Sequence, residues 1–380
     1  MAGLGEAGFP KLLLAATLVV PAAVGLRYLV HTPPLALFLV GGIAIAVLAE
    51  WMRRATEQLA VHAGPAIGGL LTVSFGSAAE LILALFVILE GHADVVRAQI
   101  TGSILGTTLL GLGLACFAGG MGREAQHFER PRAQLQSSML LIVTLALLLP
   151  AIFDRVEIAR ATSAAERFLG EAHLSVGVSV VLLLLYGGYL VFTLVTHRDV
   201  FSRSEAAEGD GEANAAAEAP EKAVWSPAVA VAILVVATVA VAGCAEFVST
   251  ALQASASTLG LPLLFLGVVP LALIGTAADL FAAVGFARQD KMGLVMSICV
   301  GSAIQVGLVI APLLVLISWV LGRPMSLVFP SILDLFAIAG AVFVVRSIAA
   351  DGETNWFEGL MLIAVYVLFA LAFLFVASPA

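Results

Sequence analysis

Apolar runs long enough to cross a lipid bilayer follow one another along almost the whole chain, at 11–30, 34–52, 66–90, 94–119, 135–153, 174–196, 226–250, 261–287, 292–321, 326–347 and 356–377. A helix needs about 20 apolar residues to span the hydrocarbon core. A spanning backbone must also satisfy its own hydrogen bonds, which confines runs of this length to helices. The pattern therefore predicts an all-α polytopic membrane protein with about 11 transmembrane helices. Composition agrees: 61% of the 380 residues are hydrophobic and 12% are charged. Ordinary soluble domains hold about 45–50% and about 25%. A soluble fold of this chain could not clothe itself in polar surface, and an acidic, mostly apolar chain has no footprint for nucleic acid. The first run is read as a retained helix; a cleaved signal peptide is the rival, but no convincing small-x-small cleavage site follows it.

One segment breaks the series. Residues 197–224 hold Glu205, Glu208, Asp210, Glu212, Glu218 and Glu221 among Ala and Gly, with too little apolar surface to pack. They read as a solvated acidic linker, with an ion-attracting or regulatory role left open. Basic residues give the orientation. The side that holds the N-terminus carries Lys11, Arg53, Arg54, Arg123, Arg130, Arg132, Arg198, Arg203, Lys222, Arg288, Lys291 and Arg346; the other carries Arg27, Arg97, Arg155, Arg160, Arg167 and Arg323. By the positive-inside rule the N-terminus and the linker are cytoplasmic. With eleven spans the C-terminus lies outside, in a multi-pass protein of the cytoplasmic (inner) membrane.

The chain also repeats itself. Residues 76–81 read Gly-Ser-Ala-Ala-Glu-Leu and residues 275–280 read Gly-Thr-Ala-Ala-Asp-Leu, an offset of 199 positions (275 − 76). The same offset carries Gly68 onto Gly267, Gly102-Ser103 onto Gly301-Ser302, and Leu109 onto Leu308. The organisation expected is 1 + 5 + 5: an extra N-terminal helix in 1–33, a five-helix repeat in 34–196, the linker 197–224, and a second five-helix repeat in 225–380. Five is odd, so the second half enters the membrane from the opposite side. Such inverted repeats place their substrate near the midplane, where the repeats meet.

At that depth the repeat sets two acids, Glu80 and Asp279, near the centres of their spans. A carboxylate at the bilayer centre costs about 2.5–3.5 kcal/mol on insertion scales, a cost that points to use. Gly76 and Gly275 lie one turn before the acids and let backbone approach or unwind. Ser77 and Thr276 add hydroxyl oxygens. Ser103, Ser302 and Gln305, on the following helix of each half, extend the candidate oxygen cage, although a serine in a helix ordinarily bonds the preceding turn. Pro270 helps to break its helix. Two acids among hard oxygen ligands suit Ca²⁺ or another hard cation as cargo at Glu80 and Asp279. Burial and mutual repulsion raise carboxylate affinity for protons, so protons and cation would compete for one site. No resident cofactor is implied.

Other polar groups are less specific. Glu57 and Glu246 are candidate access-path acids, with Glu50 near Glu57, and each also reads as an interfacial or paired acid. Asp334 interrupts the tenth run. Cys116, Cys244 and Cys299 sit in apolar runs without metal-ligand spacing and read as small core residues. The histidines fall at span edges and form no site. No nucleophile elbow, phosphate loop or zinc pattern is present, and an intramembrane aspartyl protease would want two Asp residues in its own context. An enzyme is not expected.

At these residues the chain resembles the proton/calcium exchangers of the calcium/cation antiporter superfamily, over about 34–377. The resemblance rests on Glu50-Trp51 through Ala-Thr-Glu57-Gln-Leu-Ala, Gly76–Leu81 with the following Ile82-Leu83-Ala84-Leu85, Gly102-Ser103-Ile104-Leu105, Gly301-Ser302-Ala303-Ile304-Gln305 and the run from Ala311-Pro312 to Ser318-Trp319. The resemblance implies an extra first helix, two inverted five-helix halves and an acidic segment between them. It also implies Ca²⁺/H⁺ exchange with Glu80 and Asp279 binding cation or protons in turn. The family pattern reads Gly-Asn-Ala-Ala-Glu in the first half and usually Gly-Asn-Ala-Ala-Glu-His in the second. Here Ser77, Thr276, Asp279 and Leu280 depart from it. A sodium-driven or monovalent-cation (Na⁺/K⁺)/H⁺ exchanger is the near alternative, and Mn²⁺ is a further candidate cargo. A non-transporting membrane sensor with a degraded ion site is the alternative of another class. A homo-oligomer is left open.

Overall fold

The computed structural model describes residues 13, 17–29, 33–157, 164–193, 225–329 and 331–375. The acidic segment 197–224 lies wholly outside the described residues, and of the expected first span 11–30 only part falls within them. Among the described residues nine helices are long and apolar enough to cross a membrane: Pro34–Ala63, Ala93–Gly120, Arg130–Asp154, Gly170–Val191, Pro227–Leu259, Leu263–Arg288, Met292–Val320, Ile332–Ala349 and Trp356–Phe375. The chain is an all-α polytopic membrane protein. Among the described residues two strands, β1 (Gln126–His127) and β2 (Glu353–Thr354), form one short antiparallel pair.

The chain divides into two compact units, residues 1–90 with 215–261, and 91–214 with 262–380. The first holds α1 (Val19–Leu29), α2 (Pro34–Gly76), α3 (Ala78–Leu89) and, from across the linker, α8 (Pro227–Leu259). Small residues seat α8 on α2: a Cβ at Gly41 would come 2.9 Å from Val248 Cγ2. Where the chain emerges from the linker, Trp225 stacks on Trp51 at 6.1 Å between ring centroids. Its backbone N–H donates to Gln58 Oε1 at 3.2 Å. Ser226 then caps α8 by accepting from the Val229 N–H.

The apolar runs predict separate spans at 34–52 and 66–90. The structure instead carries one helix from Pro34 to Gly76, and the break falls at Ser77. The polar stretch between the runs contains Arg53, Arg54, Glu57 and Gln58, all good helix formers. Ion pairs with Glu50 staple its surface, from Arg53 at 2.8 Å and Arg54 at 2.6 Å.

The second unit holds α4 (Ala93–Leu105), α5 (Leu112–Gly120), α6 (Arg130–Glu157), α7 (Ala164–Val191), α9 (Leu263–Leu266), α10 (Ala272–Arg288), α11 (Met292–Gln305), α12 (Ala311–Val320), α13 (Ile332–Ala349) and α14 (Trp356–Phe375). π-helical turns interrupt its helices at Gly106–Gly111, at Gly267–Leu271 and at Val306–Ile310. The first and third fall at matching places. An offset of 199 carries α4, its π turn and α5 onto α11, its π turn and α12, to within a residue at every boundary.

These two matched rods run in opposite senses. The segment α9–α10 lies alongside α4–α5 in the same direction. Gly267 meets Val95 and Ala98, Gly102 meets Val268 and Ala272, Gly106 meets Thr276, Gly111 meets Leu280, and Gly119 meets Ala287. At Gly102 a Cβ would overlap the Val268 carbonyl oxygen, so only glycine permits that crossing. A tight turn, with Asp290 in the left-handed region at φ 63°, then reverses the chain into α11. The amide of Gln126, just beyond α5, donates to the Ala287 carbonyl at 3.0 Å and to Asp290 Oδ1 at 2.8 Å. The end of α5 and the start of α11 therefore lie together.

Candidate functional site

In the first unit the signature Gly76–Leu81 is a helix break. Ser77 leaves helical geometry (φ −107°, ψ 19°), its backbone N–H turns to the Phe75 carbonyl, and α3 starts afresh at Ala78. The Ser77 side chain is buried and makes no cap bond to α3. Glu80 thus occupies the first turn of a new helix with only 3% of its surface exposed. The unsatisfied amides and dipole of a helix N-terminus favour negative charge there. Gly76, the last residue of α2, is exposed.

The same signature behaves differently in the second unit. α10 runs unbroken through Gly275, Thr276 and Asp279. The irregularity lies one turn earlier, in the π turn Gly267–Leu271 that contains Pro270. Proline brings no N–H to the ladder, and π turns gather at functional sites. Thr276 is 1% exposed, and its hydroxyl donates to the Ala272 carbonyl at 2.9 Å. That bond spends the proton and leaves the oxygen able to accept. Asp279 is half-buried and lies near enough to Cys299 of α11 for its charge to act there.

Three further expected ligands come from the matched rods. Ser103 is fully buried in α4, and its carbonyl accepts the Thr107 hydroxyl at 2.8 Å. Ser302 follows Cys299 by one turn on α11. It is 8% exposed, and its Oγ has no hydrogen-bond partner among the described residues. Beside it, a Cβ added at Gly301 would meet only open space. Gln305 is half-buried and ends α11 where the π turn begins. Within this unit the fold brings Gly275, Thr276, Asp279, Ser103, Ser302 and Gln305 onto α10, α4 and α11, which pack on one another.

The candidate access acids sit differently. Glu57 is exposed on α2 and ion-paired to Arg53. Glu246 is exposed on α8, and its backbone carbonyl accepts the Ser249 and Thr250 hydroxyls. Asp334 is buried in the first turn of α13 and closes a capping box with Ser331. The three cysteines are free and buried. Among the described residues no three His, Cys, Asp or Glu side chains gather as a metal cluster. Any cation held here must draw on hydroxyl, amide and backbone oxygen, as hard cations do.

Sequence reasoning passed over Gln99, Thr107 and Thr108. All three are buried in α4 and its π turn. The available signal was spacing: Gln99, Ser103 and Thr107 recur every four residues and share one helix face.

Residues 33–195 and 229–375 match the protein family described as sodium/calcium exchanger protein. A Ca²⁺/H⁺ antiporter, ChaA, of Bacillus subtilis (strain 168) is 39% identical over 346 residues, which cover 91% of this chain and 93% of that protein. A Ca²⁺/H⁺ antiporter of Aphanothece halophytica is 37% identical over 362 residues, covering 92% and 93%. Among solved structures, native YfkE superposes with a TM-score of 0.78 at 33% identity, covering 96% of this chain and 99% of that one.

Proposed function

Because the chain belongs to the sodium/calcium exchanger protein family, we propose that it exchanges Ca²⁺ for protons across a membrane by alternating access. One observation carries the reading. Glu80 and Asp279 stand at equivalent positions of two sequence repeats, each inside an apolar helix and each beside a helix irregularity. The opposed sense of the matched rods in the second unit supports an inverted 1 + 5 + 5 arrangement. In that arrangement the N-terminus and the acidic linker face the cytoplasm and the C-terminus lies outside.

The chemistry follows from competition. An empty site with two desolvated carboxylates takes up protons, and Ca²⁺ entering the same oxygens expels them. Ser77, Thr276, Ser103, Ser302 and Gln305 supply neutral oxygen, and Gly76 and Gly275 supply room for backbone to approach. Neutral ligands keep the site weak enough to release its cargo on the far side. Glu246, exposed on α8, is the better placed of the two access-path acids, since Arg53 already holds Glu57.

The test is flux in proteoliposomes or everted vesicles with an imposed pH gradient. Addition of Ca²⁺ should dissipate the gradient, and apparent Ca²⁺ affinity should fall as pH falls. A gradient untouched by Ca²⁺, Na⁺, K⁺, Mn²⁺ and Mg²⁺ would sink antiport. A response to Na⁺ or K⁺ alone would transfer the reading to a monovalent exchanger, and Ca²⁺ binding without flux would transfer it to a sensor.

A further inference from the structure

α4 carries a polar side chain that packing leaves unexplained. Gln99 is 1% exposed, and both its amide nitrogen and its amide oxygen lack a hydrogen-bond partner among the described residues. Buried amides are almost always bonded, because an unmade bond forfeits the full hydration of the group. Most buried hydroxyls of the same helix follow that rule. Thr107 and Thr108 donate to carbonyls one turn back, and Thr101 bonds the Arg97 carbonyl at 3.3 Å. A glutamine can make such a bond too, as Gln289 does to the Gly285 carbonyl at 3.2 Å, yet Gln99 breaks the rule at both ends of its amide.

Its place in the unit suggests what it serves. Gln99 shares a helix face with Ser103 and Thr107. Gly106, beside the Thr276 hydroxyl, marks the level on α4 that matches Thr276; a Cβ there would stand 3.6 Å from Oγ1. Gln99 precedes Gly106 by seven residues, about 10 Å along the helix at the α-helical rise. Asp279 lies about 4 Å beyond Thr276 in the opposite sense. That separation is too great for Gln99 to share a first coordination shell with Asp279. The neighbouring rod at the Gln99 level is the π turn with Pro270, between the contacts that Gly267 and Gly102 make. The ladder is already irregular there.

We propose that the Gln99 carboxamide forms a second, transient station for the transported cation. It would lie on the approach to Thr276 and Asp279 from the end where α4 begins. The inference rests on the exchange reading above. The amide oxygen takes the place of hydration water on a hard cation, and the amide N–H₂ holds a water that remains in the cation's shell. A neutral ligand suits a stop that must be left again, whereas a carboxylate there would compete with Asp279.

The experiment compares Gln99→Leu and Gln99→Glu with the wild type in Ca²⁺-driven proton flux, alongside melting of the detergent-solubilised protein with and without Ca²⁺. Leucine keeps the bulk and removes both unpaired atoms. A transient station predicts that Gln99→Leu melts no lower than wild type without Ca²⁺, with the KM for Ca²⁺ raised about tenfold. It predicts that Gln99→Glu, which keeps an oxygen but adds a charge that competes with Asp279, lowers the KM relative to Gln99→Leu while slowing turnover, the more so as rising pH ionises the new carboxylate. A lower melting temperature for Gln99→Leu with unchanged KM would make Gln99 a packing residue and overturn the station. So would unchanged KM with unchanged melting, the result expected if the amide only anchors a structural water. A wild type that moves no Ca²⁺ would sink the exchange reading itself, a result distinguishable from either.

Discussion

The two copies of the six-residue signature differ in where the helix gives way. Around Glu80 the break falls inside the signature, at Ser77, and the acid inherits a helix N-terminus. Around Asp279 the helix is whole, the Thr276 hydroxyl is spent on the turn below it, and the irregularity has moved back to Pro270. The first acid is therefore stabilised by its own backbone. The second sits within a continuous helix, and under the exchange reading it would draw on side chains of other helices such as Ser302, whose hydroxyl has no partner among the described residues. Equal sequence position does not give equal environment, and ion selectivity should be more easily altered in the second copy.

The largest effects should come from the acids. Glu80→Gln and Asp279→Asn should each reduce exchange more than a hundredfold, with the protein still folded by melting and gel filtration. The conservative changes should separate the two copies. Glu80→Asp withdraws the carboxylate from a position fixed by the α3 backbone and should be nearly as damaging as Glu80→Gln. Asp279→Glu enters a half-buried position within a continuous helix and should retain measurable flux with an altered cation preference. The reverse ranking in a cation-panel flux assay would break the comparison.

Next come the breaks themselves. Proline in a helix interior costs about 3 kcal/mol relative to alanine. Pro270→Ala should therefore raise the melting temperature while lowering the rate of exchange several-fold, since the regular helix it restores removes the irregularity before Asp279. Faster exchange, or no change, would separate the π turn from function. Ser302→Ala should leave melting within error, because it deletes a hydroxyl that bonds nothing among the described residues, and should raise the KM for Ca²⁺ about fivefold. A marked fall in melting with no change in KM would assign Ser302 to packing.

Much of this was legible in the chain. The apolar runs give the all-α membrane fold, and the constant offset finds the equivalence later seen in α4–α5 and α11–α12, because both depend on composition and spacing that burial preserves. The continuity of α2 was not legible. Arg53, Arg54, Glu57 and Gln58 look like a loop when polarity alone is weighed, yet each favours helix and pairs within it. Nor was Gln99: one glutamine in a helix of Ala, Val and Thr is unremarkable until the packing shows no partner for its amide among the described residues. Ser77 was legible as a candidate oxygen but not as the break, since nothing in Gly-Ser-Ala-Ala distinguishes a bent helix from the straight one that Gly-Thr-Ala-Ala forms.

The smallest effect expected is at Glu57, and it tests how far function extends along the first unit. Its carboxylate is 49% exposed and paired with Arg53, which also bonds Glu50. An exposed pair of this kind contributes about 0.2–1 kcal/mol, and Glu50 keeps Arg53 in place when Glu57 is lost. Glu57→Gln should therefore shift melting barely, and exchange at saturating Ca²⁺ should change less than twofold. Any contribution to cation entry would be electrostatic, acting on encounter rather than turnover. It would surface as a higher KM at low ionic strength that salt erases, because exposed charges are screened within about 10 Å at 0.1 M. A loss of turnover as large as that of Asp279→Asn would instead mean that Arg53 releases Glu57 during the cycle. The acid-lined path would then run along α2, in the unit that also holds Glu80.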